Sequence, residues 1–152
     1  MLALATPQDV LGHVGQELGQ SEWLTVTQET IDRFAEATGD HQGIHVDVER
    51  ARREMPGGKT IAHGYLTFSL IPRLRPQLIQ VTGARRGINY GCNKVRFPAP
   101  VPSGSRVRLR GKLLAAEATA DGAVRMIVEL TMEVEGNTRS AMVAETISLV
   151  YG

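Results

Sequence analysis

The sequence predicts an α+β fold, in which one long buried helix precedes a mostly antiparallel sheet. Residues 61–81 are apolar on most faces, as expected of a helix in the centre of a domain. Residues 105–118 alternate apolar and polar side chains, which predicts a strand with one buried face. Asp121-Gly122 then predicts a two-residue hairpin turn. The length suits one core of ordinary size, so we assign residues 1–152 to a single domain.

Composition excludes several classes of protein. Seventeen basic and sixteen acidic residues leave a net charge of +1, which gives no reason to expect a nucleic-acid partner. The N-terminus lacks the pattern of a signal peptide, and no apolar stretch reaches the ~20 residues of a membrane span. The one cysteine, Cys92, fits a reducing cytoplasm. Because no arranged base is evident near it, we expect Cys92 to be a small buried residue rather than a nucleophile.

The first part of the chain carries clear helix boundaries. Thr6-Pro7 predicts the start of a short helix, since proline is favoured at the first helical position. A strand is expected near residues 23–26, after which Thr27 caps a second helix. Gly39 ends that helix. In the later buried helix, Pro72 should introduce a kink because it removes a hydrogen bond.

The predicted hairpins set the register of the sheet. The Asp121-Gly122 turn places Arg108 opposite Glu135 and Leu109 opposite Val134, so charges meet on one face and apolar residues on the other. A row of arginines on this strand is therefore a solvated face rather than a nucleic-acid patch.

A second turn at Gly136-Asn137 places Glu145 on the apolar face, opposite Val128. Such a carboxylate is costly without a partner. A supporting role in a site, a bulge, or a slip of register each accounts for it, and the pattern does not choose among them.

Residues 39–45 hold the candidate catalytic groups. On a continuous helix, Asp40 and His45 would point about 140° apart and could not act on one small molecule. Gly39 and Gly43 indicate a loop instead, because glycine is the usual residue where a helix stops and φ becomes positive. Such a loop can turn Asp40 and His45 toward a single water, which is the geometry of acid–base chemistry.

Three segments together resemble the MaoC-like dehydratases, the (R)-specific enoyl-CoA hydratases. Residues 34–45, FAEATGDHQGIH, resemble the signature of that family, and residues 61–65, IAHGY, resemble the start of its central helix. The similarity extends through residues 89–98, NYGCNKVRFP. Two motifs in the right order are more specific than either alone. The branch that this chain resembles contains single-domain mycobacterial and nodulation-protein-N-like hydratases.

The resemblance implies a hot-dog fold, in which a curved antiparallel sheet wraps around one long central helix, and it implies a homodimer. It also implies syn hydration of trans-2-enoyl-CoA to (3R)-3-hydroxyacyl-CoA, or the reverse dehydration, in fatty-acid metabolism. Asp40 and His45 match the catalytic pair of the family. Gln42-Gly43 departs from the Asn-Pro that is common there; the amide of Gln42 can still orient a neighbour, but Gly43 loosens the turn.

The chemistry is consistent with these residues. Water addition needs a base for the water, a proton for the α-carbon and a donor for the enolate oxygen. An Asp/His pair can polarise one water. The backbone amide of Gly64, at the start of a buried helix, suits the thioester oxygen. For His63, a contact with the substrate and a packing role are equally supported.

Other functions remain open. A metal site formed by His41, His45 and His63 has weak support, because Gly43 breaks the helix that would align the first two; we expect no metal and no cofactor. A hot-dog acyl-CoA thioesterase would need no histidine beside its carboxylate, and a non-catalytic acyl-thioester-binding subunit is the third alternative. The expected partner is an acyl thioester of coenzyme A or acyl-carrier protein. Four basic residues are candidate ligands of the coenzyme phosphates, although an interpretation as ordinary surface charges is equally supported: Arg85, Arg86, Lys94 and Arg96.

Overall fold

The computed structural model describes residues 1–152 and confirms the α+β class. The strands are β1 Leu2–Leu4, β2 Glu17–Gln20, β3 Leu24–Thr25, β4 Ile79–Val81, β5 Arg86–Arg96, β6 Arg106–Ala118, β7 Ala123–Val134 and β8 Met142–Tyr151. The helices are α1 Gln28–Thr38, α2 Gly43–Val46, α3 Val48–Glu54, α4 Gly64–Ser69 and α5 Ile71–Leu74, with 3₁₀ turns at Pro7–His13, Pro56–Gly58 and Arg75–Gln77.

The main sheet is antiparallel, with strand order β2-β6-β7-β8-β5, and β3 also pairs with β6. Along β8, side chains alternate between buried and half-buried positions, so one face of the sheet points into the core. Leu66 of α4, Leu74 of α5 and Leu70 between them share that core with Leu109 and Leu130 of the sheet. The helices therefore cover the inner face of the sheet, and their burial there drives the fold.

The predicted central helix is shorter than expected. The 61–81 run forms α4 and α5, which are separated at Leu70, and then a 3₁₀ turn and β4. Pro72 has no N–H to donate to the carbonyl of Phe68, so the helix is interrupted there. The end of the run is a strand because β4 pairs in parallel with β1, an arrangement that an apolar pattern alone cannot distinguish from a buried helix.

The register of the β6–β7 hairpin differs from the prediction by two residues. Arg108 lies opposite Glu133 rather than Glu135, because the loop extends from Thr119 and a bulge follows Leu113. This shift of two holds from Val107 to Leu113 and keeps the side chains of that stretch on their predicted face, whereas after the bulge the shift is one residue. The arginines still meet glutamates, in the pairs Arg106–Glu135, Arg108–Glu133 and Arg110–Glu133.

The register of the β7–β8 hairpin was wrong by one residue, which reverses the face of each side chain. Glu145 lies opposite Glu129, not Val128, because residues 135–141 form a loop longer than a two-residue turn. The carboxylate of Glu145 is on the half-buried outer face and lies 3.6 Å from Lys94 Nζ. Of the three explanations for Glu145, the slip of register is the one that the structure shows.

Strand β5 forms one edge of the sheet and pairs only with β8. Ten of its eleven residues are exposed, including Tyr90, whose exposed fraction is 62%. The expectation that Cys92 is buried was wrong, since Cys92 lies on this exposed strand. None of the helices has the length and apolar character needed to cross a membrane.

Candidate active site

The loop after α1 positions Asp40. Thr27 caps the start of α1 by accepting a hydrogen bond from the Thr30 N–H at 3.2 Å, as predicted. Gly39 ends the helix with φ of 79° and donates its N–H to the carbonyl of Ala35. The chain then turns, and the carboxylate of Asp40 accepts the N–H of Gln42 at 3.3 Å, which holds the exposed aspartate in a tight turn.

His45 lies in the short helix α2 and is 7% exposed. Its Nδ1–H donates to the carbonyl of Ile61 at 2.7 Å, so in the neutral ring Nε2 is the free acceptor. The backbone carbonyl of His45 accepts a 2.7 Å hydrogen bond from Nε2 of Gln28, on the first turn of α1. Gln28 in turn accepts a hydrogen bond from the hydroxyl of Thr60. Both the ring and the backbone of His45 are therefore fixed.

His63 is more deeply buried, at 2% exposure, and it links the two halves of the site. Its Nε2–H donates to the backbone carbonyl of Asp40 at 3.0 Å, while its Nδ1 is buried without a hydrogen-bond partner. The ring stacks on His45, with centroids 3.9 Å apart, and also packs against Phe34 at 4.8 Å. His63 therefore holds the Asp40 backbone beside the imidazole of His45.

These contacts bring Asp40, His45 and His63 together. One ligand-type atom from each lies within 4.8 Å of the others. Three such groups are also a candidate metal set, but the two rings lie nearly parallel, at 25°. The lone pairs of the ring nitrogens lie in the ring planes, so in nearly parallel rings they do not converge on one point. A tetrahedral zinc site needs such convergence, with zinc–nitrogen distances of about 2.0–2.1 Å. The arrangement suits proton transfer between neighbouring groups better than metal ligation.

A pocket of ≈ 280 Å³ opens beside this cluster and is lined by both His45 and Gly64. Gly64 is the first residue of α4, so its N–H has no partner within the helix. A methyl group at Gly64 would lie 3.0–3.1 Å from the ring of Phe97, which also lines the pocket. Only glycine at this position allows the Phe97 ring to pack so closely against the backbone.

The remaining predicted residues lie farther from this cluster. Gln42 precedes α2 and lines a separate small pocket with Gly43 and Arg50, so its side chain is not among the groups around Gly64. His41 is exposed and is not a member of the clustered trio, whose third member is Asp40. Gly43 is the first residue of α2 and has an ordinary negative φ.

The basic residues proposed for coenzyme phosphates have their own contacts. Arg86 lies over the ring of Tyr151 at 4.3 Å, Lys94 faces Glu145, and Arg96 donates to the carbonyl of Val95. All three belong to β5.

Sequence reasoning missed three supports of the site. Gln28 and Phe34 both lie on α1, and Phe97 follows β5. A glutamine in the first turn of a helix gives no local signal of a contact 17 residues along the chain. Phe97 lies within the 89–98 segment that carries the family resemblance, which is the one signal that pointed to it.

Comparisons with known proteins agree with these features. A model of the MaoC like domain matches residues 9–138. The 3-hydroxyacyl-thioester dehydratase Z of Mycobacterium tuberculosis is 53% identical over 139 residues, which covers 91% of each chain. Nodulation protein N of Rhizobium leguminosarum is 46% identical over 152 residues and covers 93% of this chain and 89% of the relative.

Solved structures share the architecture. A monoamine oxidase regulatory protein from Archaeoglobus superposes with a TM-score of 0.78 at 20% identity, over 99% of this chain and 97% of that chain. The (R)-hydratase of A. caviae involved in PHA biosynthesis gives 0.69 at 21% identity, over 90% and 95%. The HadBC complex, a 3R-hydroxyacyl-ACP dehydratase from Mycobacterium tuberculosis, gives 0.71 at 16% identity, over 90% and 96%. At these identities the likeness shows the fold, which is the hot-dog fold.

Proposed function

This chain belongs to the MaoC-like dehydratase family and is a hydro-lyase, and on that premise we propose that it interconverts trans-2-enoyl and (3R)-3-hydroxyacyl thioesters. The dehydratase Z relative is named for a 3-hydroxyacyl thioester, and the A. caviae neighbour for (R)-hydration. The observation that carries the proposal is the free Nε2 of His45, whose ring is fixed through Nδ1, beside the carboxylate of Asp40.

In the hydration direction, Asp40 and His45 hold one water between them. Nε2 of His45 accepts a proton from this water as the water oxygen bonds to C3, and the electrons of the C2–C3 double bond move toward the thioester oxygen. The imidazolium then gives its proton to C2 from the same face, which makes the addition syn and returns the ring to its neutral form. Dehydration follows the same steps in reverse.

The enolate oxygen needs a donor on the opposite side of the reacting carbons. We assign this role to the N–H of Gly64, because Gly64 and His45 line the same pocket and the N–H lacks an intrahelical partner. Since α4 has only six residues, the hydrogen bond itself contributes more than the helix dipole does. His63 serves as a positioning residue, because it touches Asp40 through the backbone.

The substrate is a thioester of coenzyme A or of acyl-carrier protein. Either carrier fits, since the proposed chemistry involves only the acyl group and the sulfur. The proposed chemistry requires no metal or redox cofactor. We place the protein in the cytoplasm, where a single cysteine stays reduced.

We propose a homodimer for the assembly, although the HadBC neighbour is a complex of differently named chains. Strand β5 supports this, because it offers an unpaired edge with Tyr90 and Ile88 exposed. Sedimentation velocity should show a dimer for the wild-type protein and a monomer for Tyr90→Lys. A wild-type monomer would contradict this part of the proposal.

The test of the function is a hydration assay with crotonyl-CoA. The enoyl absorbance should fall, and chiral analysis should identify (3R)-3-hydroxybutyryl-CoA. Asp40→Asn and His45→Gln should each lower kcat/KM by ~10²–10⁴-fold, since the first removes the carboxylate that holds the water and the second removes the proton carrier. The exposed neighbour His41→Gln is the matched control and should keep full activity.

Three other results would contradict the proposal. Hydration by the Asp40→Asn/His45→Gln double variant at the wild-type rate would show that these side chains do not act on the water. Release of free thiol would identify a thioesterase. Binding of the thioester without turnover would identify a non-catalytic subunit.

A further inference from the structure

Arg75 follows α5 and turns its guanidinium into the inner face of the sheet. Nη1–H donates to the hydroxyl of Ser148 at 2.8 Å, and Nη2–H points at the sulfur of Met126 at 3.5 Å. No carboxylate lies within ion-pair distance of Arg75. Arg106 and Arg108 on β6 do have glutamate partners, whereas the half-buried Arg75 has no counter-charge.

This arrangement leaves hydrogen-bonding capacity unused. A guanidinium has five N–H donors, and here one makes a good hydrogen bond and one a weak contact with sulfur. Burial lowers the pKa of Arg75, because taking the charge out of water disfavours it. Arg75 is half-buried, and a partly desolvated cation is costly unless it is paired, so an anionic group bound beside it would remove this cost.

Two pockets, each of ≈ 330 Å³, meet at Arg75. Most of their walls are apolar, and Arg75 is the one charged residue that lines either of them. The other side chains with hydrogen-bonding groups that line them are Ser69, Asn89, Cys92, Thr146 and Ser148, of which Ser148 bonds the guanidinium. These two adjoining pockets, which we call the channel, combine apolar walls with one cation and a few hydrogen-bonding groups, the composition of a small-molecule site.

The channel and the active-site pocket lie along the same helical segment. Gly64 and Thr67 line the active-site pocket, and the next two residues, Phe68 and Ser69, line the channel. From Gly64 to Arg75 the helical rise is about 16 Å, and the arginine side chain leans back toward the start of the helix. An extended chain advances roughly 1.2 Å per bond, so about eight to twelve bonds cover ~10–14 Å, which is the distance that is left once the reach of the arginine side chain is subtracted.

We propose that Arg75 binds a carboxylate at the far end of the acyl chain, so that the preferred substrates are thioesters of ω-carboxylated (dicarboxylic) acids. The proposal rests on the hydro-lyase function assigned above and specifies its substrate class. The planar guanidinium donates two parallel hydrogen bonds to the carboxylate, while Asn89 and Ser148 fix the neighbouring atoms. The apolar walls contact the methylene chain.

The experiment compares two series of trans-2-enoyl-CoA esters of equal length, one ending in a methyl group and the other in a carboxylate. Wild-type protein should favour the acid-ended ester at least tenfold in kcat/KM at medium chain length, mainly through a lower KM. Arg75→Met should reverse this preference, and Arg75→Lys should keep part of it. Arg73→Met, an exposed arginine on the same segment, is the matched control and should leave the preference unchanged.

A preference for methyl-ended esters at every length, or an equal ratio in the wild type and Arg75→Met, would overturn the inference. If neither series is hydrated, the proposed function has failed, and calorimetric binding of the acid-ended ester decides the inference separately. Binding by the wild type but not by Arg75→Met supports it, whereas equal binding overturns it. If Arg75→Met instead dissociates a dimer and the wild type shows no acid preference, a second copy supplies the carboxylate and the inference is wrong.

Discussion

The polar side chains at the two ends of the α4–α5 segment differ in how they are hydrogen-bonded. At the Gly64 end, His45 and His63 each have one ring nitrogen bonded to a backbone carbonyl, so the rings are fixed and the free Nε2 of His45 faces the site. At the far end, the guanidinium of Arg75 has one good partner, Ser148, and no counter-charge. The first end has rings fixed around the proposed catalytic pair, although Nδ1 of His63 is buried there without a partner, while the second end has a guanidinium that borders two pockets.

The difference shows how each end contributes to function. Acid–base catalysis requires groups held in place before the substrate arrives, because misplacement by about 1 Å can lower the rate ~10²-fold. Recognition of a charged group requires hydrogen-bond donors whose acceptors come from the ligand. When such a site is empty, some of its donors have no partner in the protein. One helical segment therefore carries a preorganised end and an incomplete end.

Among the backbone and binding positions, the largest effect is expected at Gly64. In Gly64→Ala the new methyl group must displace the Phe97 ring, which lies 3.0–3.1 Å away, and the ring lines the active-site pocket. We expect kcat/KM to fall by up to about 10²-fold. Phe97→Leu in the same chain should recover part of the loss. Gly12→Ala, which has open space around it, is the control, and a fully active Gly64→Ala would show that the Phe97 contact is unimportant.

A smaller effect of opposite sign is expected at Arg75. Arg75→Met replaces a desolvated cation by an apolar side chain that fits the same space, so the free energy of unfolding should rise by about 1 kcal/mol. Ser148→Ala, which removes the partner hydroxyl, should lower it by about 1 kcal/mol. Urea denaturation measures both. A loss of several kcal/mol in Arg75→Met would show that the guanidinium is paired, and the contrast between the two ends would disappear.

The smallest effect is expected at Gly43, which occupies the first position of α2 and has ordinary space around its Cβ position. The preceding residue, Gln42, has φ −56° and ψ 135°, a conformation that is favoured before proline. Gly43→Pro should therefore raise the free energy of unfolding by about 0.4–1 kcal/mol and leave kcat/KM unchanged. A large loss of activity would mean that the catalytic loop needs the flexibility of glycine.

Features that depend on neighbouring residues could be predicted from the sequence. The Thr27 cap and the Gly39 end of α1 are examples, because capping is decided within a few residues. The hairpin registers could not, since loop length depends on bonds such as that between Thr119 and Ala123. Within the candidate site, the motifs marked Asp40, His45 and Gly64. The support Gln28 gave no signal, because its contact joins distant parts of the chain, and Phe97 was marked only by its place in the 89–98 segment.

The sequence alone determined the α+β class, the two ends of α1 and the family to which the chain belongs, because these depend on short patterns of apolar spacing, glycine and paired motifs. It predicted a loop over residues 39–45, where helix α2 begins at Gly43 and contains His45. The tertiary structure decided that the 61–81 run ends in β4 and that Glu145 faces outward. It also decided that Arg75 meets Ser148 across 73 residues of chain. Packing and strand pairing join segments that are distant in sequence, and no local pattern specifies which of the available partners will meet.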